Sequence, residues 1–256
     1  MRPLLLWFGT PAPLPSRDQR ERLSSTAAIF VLLLTAGVAS AEVQDKAKTI
    51  GKTVVHYKVV LPTQYDPNKA YPAVLAFGGG PQTMDVVEGT IRRNWREQAE
   101  QRGYLVIAPA APGGDLFFEQ GARIFPEFLT KILADYKILE NKFHVAGMSN
   151  GGLSAFHIAA SYPQYFWSVT GFPGYLADAT PARVEALRKM CINMFVGDRD
   201  SGWPEAIEQQ FGAFKKAGFK VTFAVEKGQP HRIETLAGPG AARLFNQFDE
   251  ARQGCK

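Results

Sequence analysis

Lys142-Phe143-His144-Val145-Ala146-Gly147-Met148-Ser149-Asn150-Gly151-Gly152-Leu153-Ser154-Ala155-Phe156-His157-Ile158-Ala159-Ala160 runs from an apolar, strand-like segment into a closely packing helix through a G-x-S-x-G turn. A strand-to-helix turn of this kind lifts its serine hydroxyl above the end of a sheet, as a nucleophile elbow. The glycines are there for a steric reason. The turn brings Gly147 and Gly151 together, and a Cβ at either position would clash. The five-residue pattern alone is weak, and an exposed turn serine is the plain alternative. The strand before it and the helix after it give Ser149 its weight as a nucleophile.

On either side of this stretch, strand and helix signals alternate with short connections, the pattern of a mostly parallel, twisted sheet covered by helices on both faces. The spacing predicts strands over 53–60, 71–77, 104–108, 142–146, 167–170, 192–196 and 220–225. Helices are expected over 91–102, 126–136, 152–160, 181–189, 204–217 and 239–252, with Pro181 and Pro204 near first turns. The strands read as continuous apolar runs rather than alternating ones, which suits a sheet buried on both sides. No internal repeat or low-complexity linker follows residue 41.

The chain has 256 residues and is 46% hydrophobic, enough for one sizeable α/β domain over 42–256. Residues 1–41 read differently. Arg17, Arg20 and Arg22 precede the apolar run Ala27–Leu34, and small residues lead to Ala39-Ser40-Ala41. This is the outline of a secretory signal peptide, preceded by a Pro-rich segment, so export to the periplasm or medium is expected. The apolar run is short for a membrane span, and no stable anchor is expected after cleavage; an uncleaved signal anchor is the alternative. Without Arg2, Arg17, Arg20, Arg22, Asp18 and Glu21, the net charge falls from +5 to +3. That mild balance, with no Lys/Arg block, argues against a nucleic-acid partner. Cys191 and Cys255 either form one disulfide tying the tail to the sheet or leave Cys191 as a small buried hydrophobe.

A serine hydroxyl needs a base to take its proton, and the base needs an orienting partner. In elbows of this kind the chain order is serine, acid, histidine. His231, in Lys227-Gly228-Gln229-Pro230-His231-Arg232 after the last strand, is the histidine at a suitable distance; a solvated loop histidine is the alternative. His157 reads as packing on the nucleophile helix, and neither His144 nor His56 fits the order. The acid comes from Val196-Gly197-Asp198-Arg199-Asp200, with Asp200 the first choice and Asp198 the second. For either, a turn or capping role is the plain reading. Backbone N–H groups for a developing oxyanion are expected from Asn150 and from the loop Phe77-Gly78-Gly79-Gly80-Pro81, at Gly79 and Gly80. The usual loop motif opens on a histidine that braces it; Gly78 stands there, which puts the loop's rigidity in question. No phosphate-binding or dinucleotide glycine motif and no H-E-x-x-H set is present, so no cofactor and no metal are expected. Phe117, Phe118, Tyr175 and Trp203 are candidates for an apolar pocket wall, with ordinary packing as the alternative.

Taken together, Tyr57–Pro62, Tyr71–Leu75, Gly79-Gly80 and Gly147-Met148-Ser149-Asn150-Gly151-Gly152 resemble secreted α/β-hydrolase esterases, most of all the polyhydroxybutyrate depolymerase and feruloyl esterase-like group. There is some similarity to dienelactone hydrolases and prolyl-oligopeptidase-type peptidases. The resemblance covers roughly 52–250. It implies the α/β-hydrolase fold, a Ser149/Asp200/His231 triad, and exported serine hydrolase activity on a small-molecule carboxylic ester. A prolyl-oligopeptidase-type peptidase and a non-catalytic hydrolase-fold binding protein are the alternatives.

Overall fold

The computed structural model describes residues 42–254; the expected leader, residues 1–41, and Cys255 lie outside that range. Eight strands make one sheet: β1 (Glu42–Ile50), β2 (Thr53–Leu61), β3 (Tyr71–Phe77), β4 (Leu105–Pro109), β5 (Ile138–Gly147), β6 (Phe166–Gly171), β7 (Cys191–Gly197) and β8 (Val221–Glu226). Their order is β1-β2-β4-β3-β5-β6-β7-β8. The six strands from β4 to β8 run parallel, while β1–β2 and β2–β4 are antiparallel. The order reverses between β3 and β5, and the crevice outside the carboxyl ends of strands at such a reversal is where open α/β sheets take ligands.

The helices are α1 (Met84–Thr90), α2 (Arg96–Arg102), α3 (Phe125–Asp135), α4 (Asn150–Ser161), α5 (Pro181–Ala186), α6 (Pro204–Lys216) and α7 (Ala242–Arg252). A π turn, Ile91–Trp95, joins α1 to α2. Strand alternation divides the apolar residues between the faces. Ala73, Leu75 and Phe77 of β3 join one core with Phe125 and Phe128 of α3, Phe156 of α4 and Phe214 of α6. Val74 and Ala76 join the other, with Ile91, Trp95 and the α7 residues Phe245 and Phe248. Cys191, at the start of β7, is buried and disulfide-bonded; Cys255, the partner offered by the sequence, is outside the described residues. Among the described residues no helix is long and apolar enough to cross a membrane.

The largest departures from expectation are at two elements, while β5 starts early, at Ile138, and α5 stops short, at Ala186. β1, EVQDKAKTI, has no expected counterpart: it is an edge strand, mostly exposed, and its polar sequence lacks the apolar signal of the inner strands. Its lysines and Asp45 suit an edge that must not recruit another chain. The helix expected from Ile91 begins at Met84, seven residues earlier. Gly89 interrupts the apolar pattern there, and Val87 continues the buried stripe of Ile91, Trp95 and Ala99 at four-residue spacing.

A polar row crosses the middle of the sheet. His144 Nδ1 and Ser168 Oγ are 2.8 Å apart. Asn193 donates to Thr170 Oγ1 at 3.2 Å and accepts from Thr222 at 2.9 Å. His144 is fully buried, and its ring stacks on Phe248 with centroids 4.8 Å apart. Burial, helped by the positive charge of Arg252 and opposed by Asp249, holds its pKa down at about 3. His157, half-buried beside Arg183 and Asp178, is lowered to about 4, chiefly by burial. Both imidazoles therefore stay neutral in the fold, whereas in the unfolded chain they gain a proton near 6.5. The stability they contribute is complete above pH 6.5 and drains as the pH falls toward their folded values. Melting temperature should fall between pH 7 and pH 5, and fall less steeply in His144→Phe; equal slopes would remove His144 from this account.

Candidate active site

β5 delivers the chain to the carboxyl edge and α4 leaves it within three residues. A Cβ on Gly147 would collide with the carbonyl of Gly151, and one on Gly151 with the carbonyls of Phe77 and Gly78. Ser149 takes φ 59° and ψ −125°, a conformation that costs a non-glycine residue on the order of 1–3 kcal/mol. The surrounding backbone holds it there. Ser149 N donates to Pro173 O at 2.8 Å, Gly151 N to Met148 O at 2.8 Å, and Leu153 N to Ser149 O at 2.9 Å.

Three further strand ends lie along the same edge, registered by the pairs Gly147↔Gly171, Gly171↔Met194 and Gly197↔Glu226. Beyond β7 and β8, Asp200 Oδ2 sits 2.8 Å from His231 Nδ1. The Asp200 side chain is 2% exposed and that of His231 38% exposed. A buried carboxylate on one ring nitrogen fixes the other, Nε2, as the acceptor facing outward. Asp198 is exposed and does something else: its Oδ1 accepts the N–H of Gly228 at 2.7 Å, bracing the histidine loop from the neighbouring strand end. Gly197 permits that approach, since a Cβ there would strike the carbonyls of Gln229 and Pro230. No hydrogen bond reaches Ser149 Oγ among the described residues, and in unliganded hydrolase sites such contacts are often long.

The histidine loop has a second anchor that the sequence did not announce. Glu226, buried at the end of β8, receives Arg243 Nη2 at 2.6 Å, Arg243 Nη1 at 2.8 Å and Thr235 Oγ1 at 2.6 Å. Arg243, outweighing burial, holds its carboxyl below the usual range. Gln229 Oε1 takes the N–H of Glu234 at 2.8 Å, and Asn94 donates to Leu236 O at 2.7 Å. His231 is thereby carried on a loop tied at both ends.

Gly79 lies against the elbow: a Cβ there would stand 3.1 Å from Met148 O and 3.5 Å from Ser149 Cβ. Among the described residues, the N–H groups of Gly79, Gly80 and Asn150 have no backbone or side-chain acceptor, the condition for donors held ready for an oxyanion. The Asn150 side chain donates to Gly80 O at 2.9 Å. The bracing role absent at Gly78 is filled by Gln82. Wholly buried, at φ 52°, its amide donates to Gly78 O at 3.2 Å and Ser154 Oγ at 2.9 Å, and accepts from Phe117 N at 3.1 Å. Ser154 in turn donates to Asn150 O at 2.8 Å, so one glutamine links the glycine loop to α4. A Gln after a glycine run and a single proline carries no motif; only its position four residues past Gly78 hints at it.

Of the expected pocket wall, Trp203 lies against His231 with ring centroids 5.1 Å apart, and Tyr175 against Trp203 at 5.6 Å. Phe117 is a core residue instead, packed on Phe77 and Phe125, and Phe118 is half-buried beside it. A cavity of about 800 Å³ is lined by Phe166, Trp167 and Lys220 at the amino edge of the sheet, the end opposite Ser149. It has no part in this constellation. Among the described residues no group of three or more His, Cys, Asp or Glu is arranged to hold a metal ion.

The architecture is that of the α/β-hydrolase fold. An S-formylglutathione hydrolase from Agrobacterium tumefaciens superposes with a TM-score of 0.64 at 16% identity, over 84% of this chain and 95% of that one. A ferulic acid esterase gives 0.61 at 18%, over 84% and 99%. At such identities the likeness establishes the fold. In sequence, the chain is 36% identical to a dipeptidyl-peptidase 5 of Porphyromonas gingivalis over 158 residues, 57% of this chain. The match spans only 22% of that much longer relative. No family model matches.

Gln82 offers a direct check on how the glycine loop is held. Gln82→Leu keeps the volume but strands Phe117 N–H and the Gly78 carbonyl, at about 1–3 kcal/mol for each unpaired group. By calorimetry the melting temperature should fall by roughly 4 °C or more, while Thr83→Ala, exposed next door, should leave it nearly unchanged.

Proposed function

We propose that the protein is a serine hydrolase that cleaves carboxylic esters through an acyl-enzyme. The reading rests on one observation above the rest: a buried Asp200 carboxylate hydrogen-bonded at 2.8 Å to His231, on loops at the same sheet edge as the strained Ser149 elbow. In this reading Ser149 Oγ attacks the ester carbonyl carbon while His231 Nε2 takes the hydroxyl proton. The carbonyl π pair moves onto oxygen, where the N–H groups of Asn150 and of the Gly79/Gly80 loop receive it. Asp200 keeps the tautomer and stabilises the imidazolium without taking the proton. Collapse of the intermediate breaks the C–O bond, and His231 protonates the departing alcohol. Water, deprotonated by the same nitrogen, then attacks the acyl-enzyme and returns Ser149.

A second reading, peptide cleavage, is favoured by the 36% identity to a dipeptidyl-peptidase 5. An aminopeptidase also needs a group to receive the peptide's α-ammonium, and the chain matches only a fifth of that relative's length. We hold esters to be the better substrate class. The leader pattern of residues 17–41 supports export, with a small soluble ester as the partner.

The test is hydrolysis of p-nitrophenyl acetate and butyrate beside a dipeptidyl p-nitroanilide. Ester turnover should exceed anilide turnover, and a fluorophosphonate should label Ser149. Ser149→Ala should lower kcat by roughly 10⁶ and Asp200→Asn by roughly 10⁴ if the protease precedents transfer. Asp198→Ala, losing one hydrogen bond in the histidine loop, should keep most turnover and cost about 0.5–1.5 kcal/mol of stability. Unchanged turnover in Ser149→Ala would sink the assignment; a dead Asp198→Ala beside an active Asp200→Asn would reassign the acid.

A further inference from the structure

Next to the elbow the surface opens into a cavity of about 440 Å³ whose lining includes Asp85, Gly89, Arg92, Arg93, Met148 and Arg232. Met148 precedes the nucleophile candidate and Arg232 follows the base candidate, so the cavity adjoins the place where a scissile carbonyl would sit. Asp85, Gly89, Arg92 and Arg93 fall on one stripe of the helix that α1 and the π turn build, at three- and four-residue spacing. Gly89 leaves the middle of that stripe open, with nothing within 4 Å of where a Cβ would be.

The three guanidiniums of this lining are not in the same state. Arg93 Nη2 is matched by Glu234 Oε2 at 2.7 Å. Arg92 and Arg232 are exposed and have no hydrogen bond or ion pair among the described residues. Glu234 feels both Arg93, its direct partner, and Arg232, and Asp85 is the one acid of the lining, so three guanidiniums stand against two carboxylates and the wall keeps a surplus of positive charge. Two long cations held near each other without a counterion repel, and a shared anion relieves that. Guanidinium presents parallel N–H donors that match a carboxylate.

We propose that this cavity is a subsite for a carboxylate carried by the substrate, gripped by Arg92 and Arg232; the proposal rests on the serine-hydrolase reading and narrows it to esters bearing an acidic group. Such a substrate would be drawn in by the field of the wall and held with its ester beside Ser149, and salt would weaken both effects.

Equilibrium binding to Ser149→Ala tests this without turnover. Two matched pairs serve as probes: succinic acid monophenyl ester against phenyl succinamate, with the charge on the acyl side, and 3-acetoxybenzoate against 3-acetoxybenzamide, with it on the leaving side. By calorimetry the anion of at least one pair should bind about tenfold tighter than its amide, as charge-assisted bonds of this kind allow. The preference should shrink with added salt, disappear in Arg92→Gln/Arg232→Gln on the same background, and reverse in Arg92→Glu/Arg232→Glu. Equal affinities in both pairs, or a preference that survives the double glutamine substitution, would overturn the subsite. Phenyl acetate turnover by the Ser149 protein is measured separately. Its absence beside an intact anion preference defeats the hydrolase reading alone, and turnover without the preference defeats the subsite alone.

Discussion

A chain that leaves β5 and enters α4 within three residues has no space for side chains at Gly147 or Gly151, and it forces Ser149 to φ 59°. Everything else at the carboxyl edge is arranged around that steric fact. The strain is local, so its opposing forces must be local too, and they are. Backbone hydrogen bonds from Ser149 to Pro173 and from Gly151 to Met148 fix the turn from both sides. The carbonyls of Phe77 and Gly78 crowd Gly151, which sets how near the glycine loop can lie. Packing on both faces of the sheet makes each of these positions stiff, because a strand buried on two sides cannot shift to relieve a turn at its end.

The loops that face the elbow are held by a different device. Loop backbone is held less firmly than strand backbone, and a hydrogen-bonded pair of side chains positions atoms only as well as the loops carrying it. Here the fixings are polar and specific: Glu226 clamps the histidine loop to α7 through Arg243, Asp198 clamps it to the β7 end, and Gln82 clamps the glycine loop to α4. Glu226 and Gln82 are buried groups with nearly every hydrogen-bonding position used. A half-satisfied group in such a place would cost more than it gave.

The same physics explains what was legible in the residues. β3 is read to the residue at Tyr71–Phe77 because an unbroken apolar run between a charged turn and three glycines has one interpretation. The turn glycines around Ser149 and the loops bearing Asp200 and His231 are legible because backbone geometry restricts which residues can stand there. β1 is not, since an exposed edge strand draws its stability from pairing with β2 and carries no apolar signal of its own. Gln82 and Glu226 are not, since a side chain that closes a hydrogen-bond network 72 or 17 residues away in sequence obeys no local spacing. Phe117 reads as a pocket aromatic from its loop position, yet loop membership says nothing about direction, and it turns into the core against Phe77.

That contrast divides the edge into two kinds of information. In the proposed reading, the groups for the reaction are backbone N–H donors, a strained serine and the Asp200–His231 hydrogen bond, all dictated by where strands end. The groups proposed for selection are side chains on the α1 stripe and after His231, which the fold tolerates in almost any identity. The π turn at Ile91–Trp95 belongs to the second kind. Across it Ile91 and Trp95 lie in the core, while Arg92 and Arg93 line the cavity beside Met148. A regular helix would carry the apolar stripe just as well, so the insertion is not required by packing. It carries two of the three cavity arginines, so under the proposed subsite it would tie the shape of the edge to the kind of molecule that edge admits.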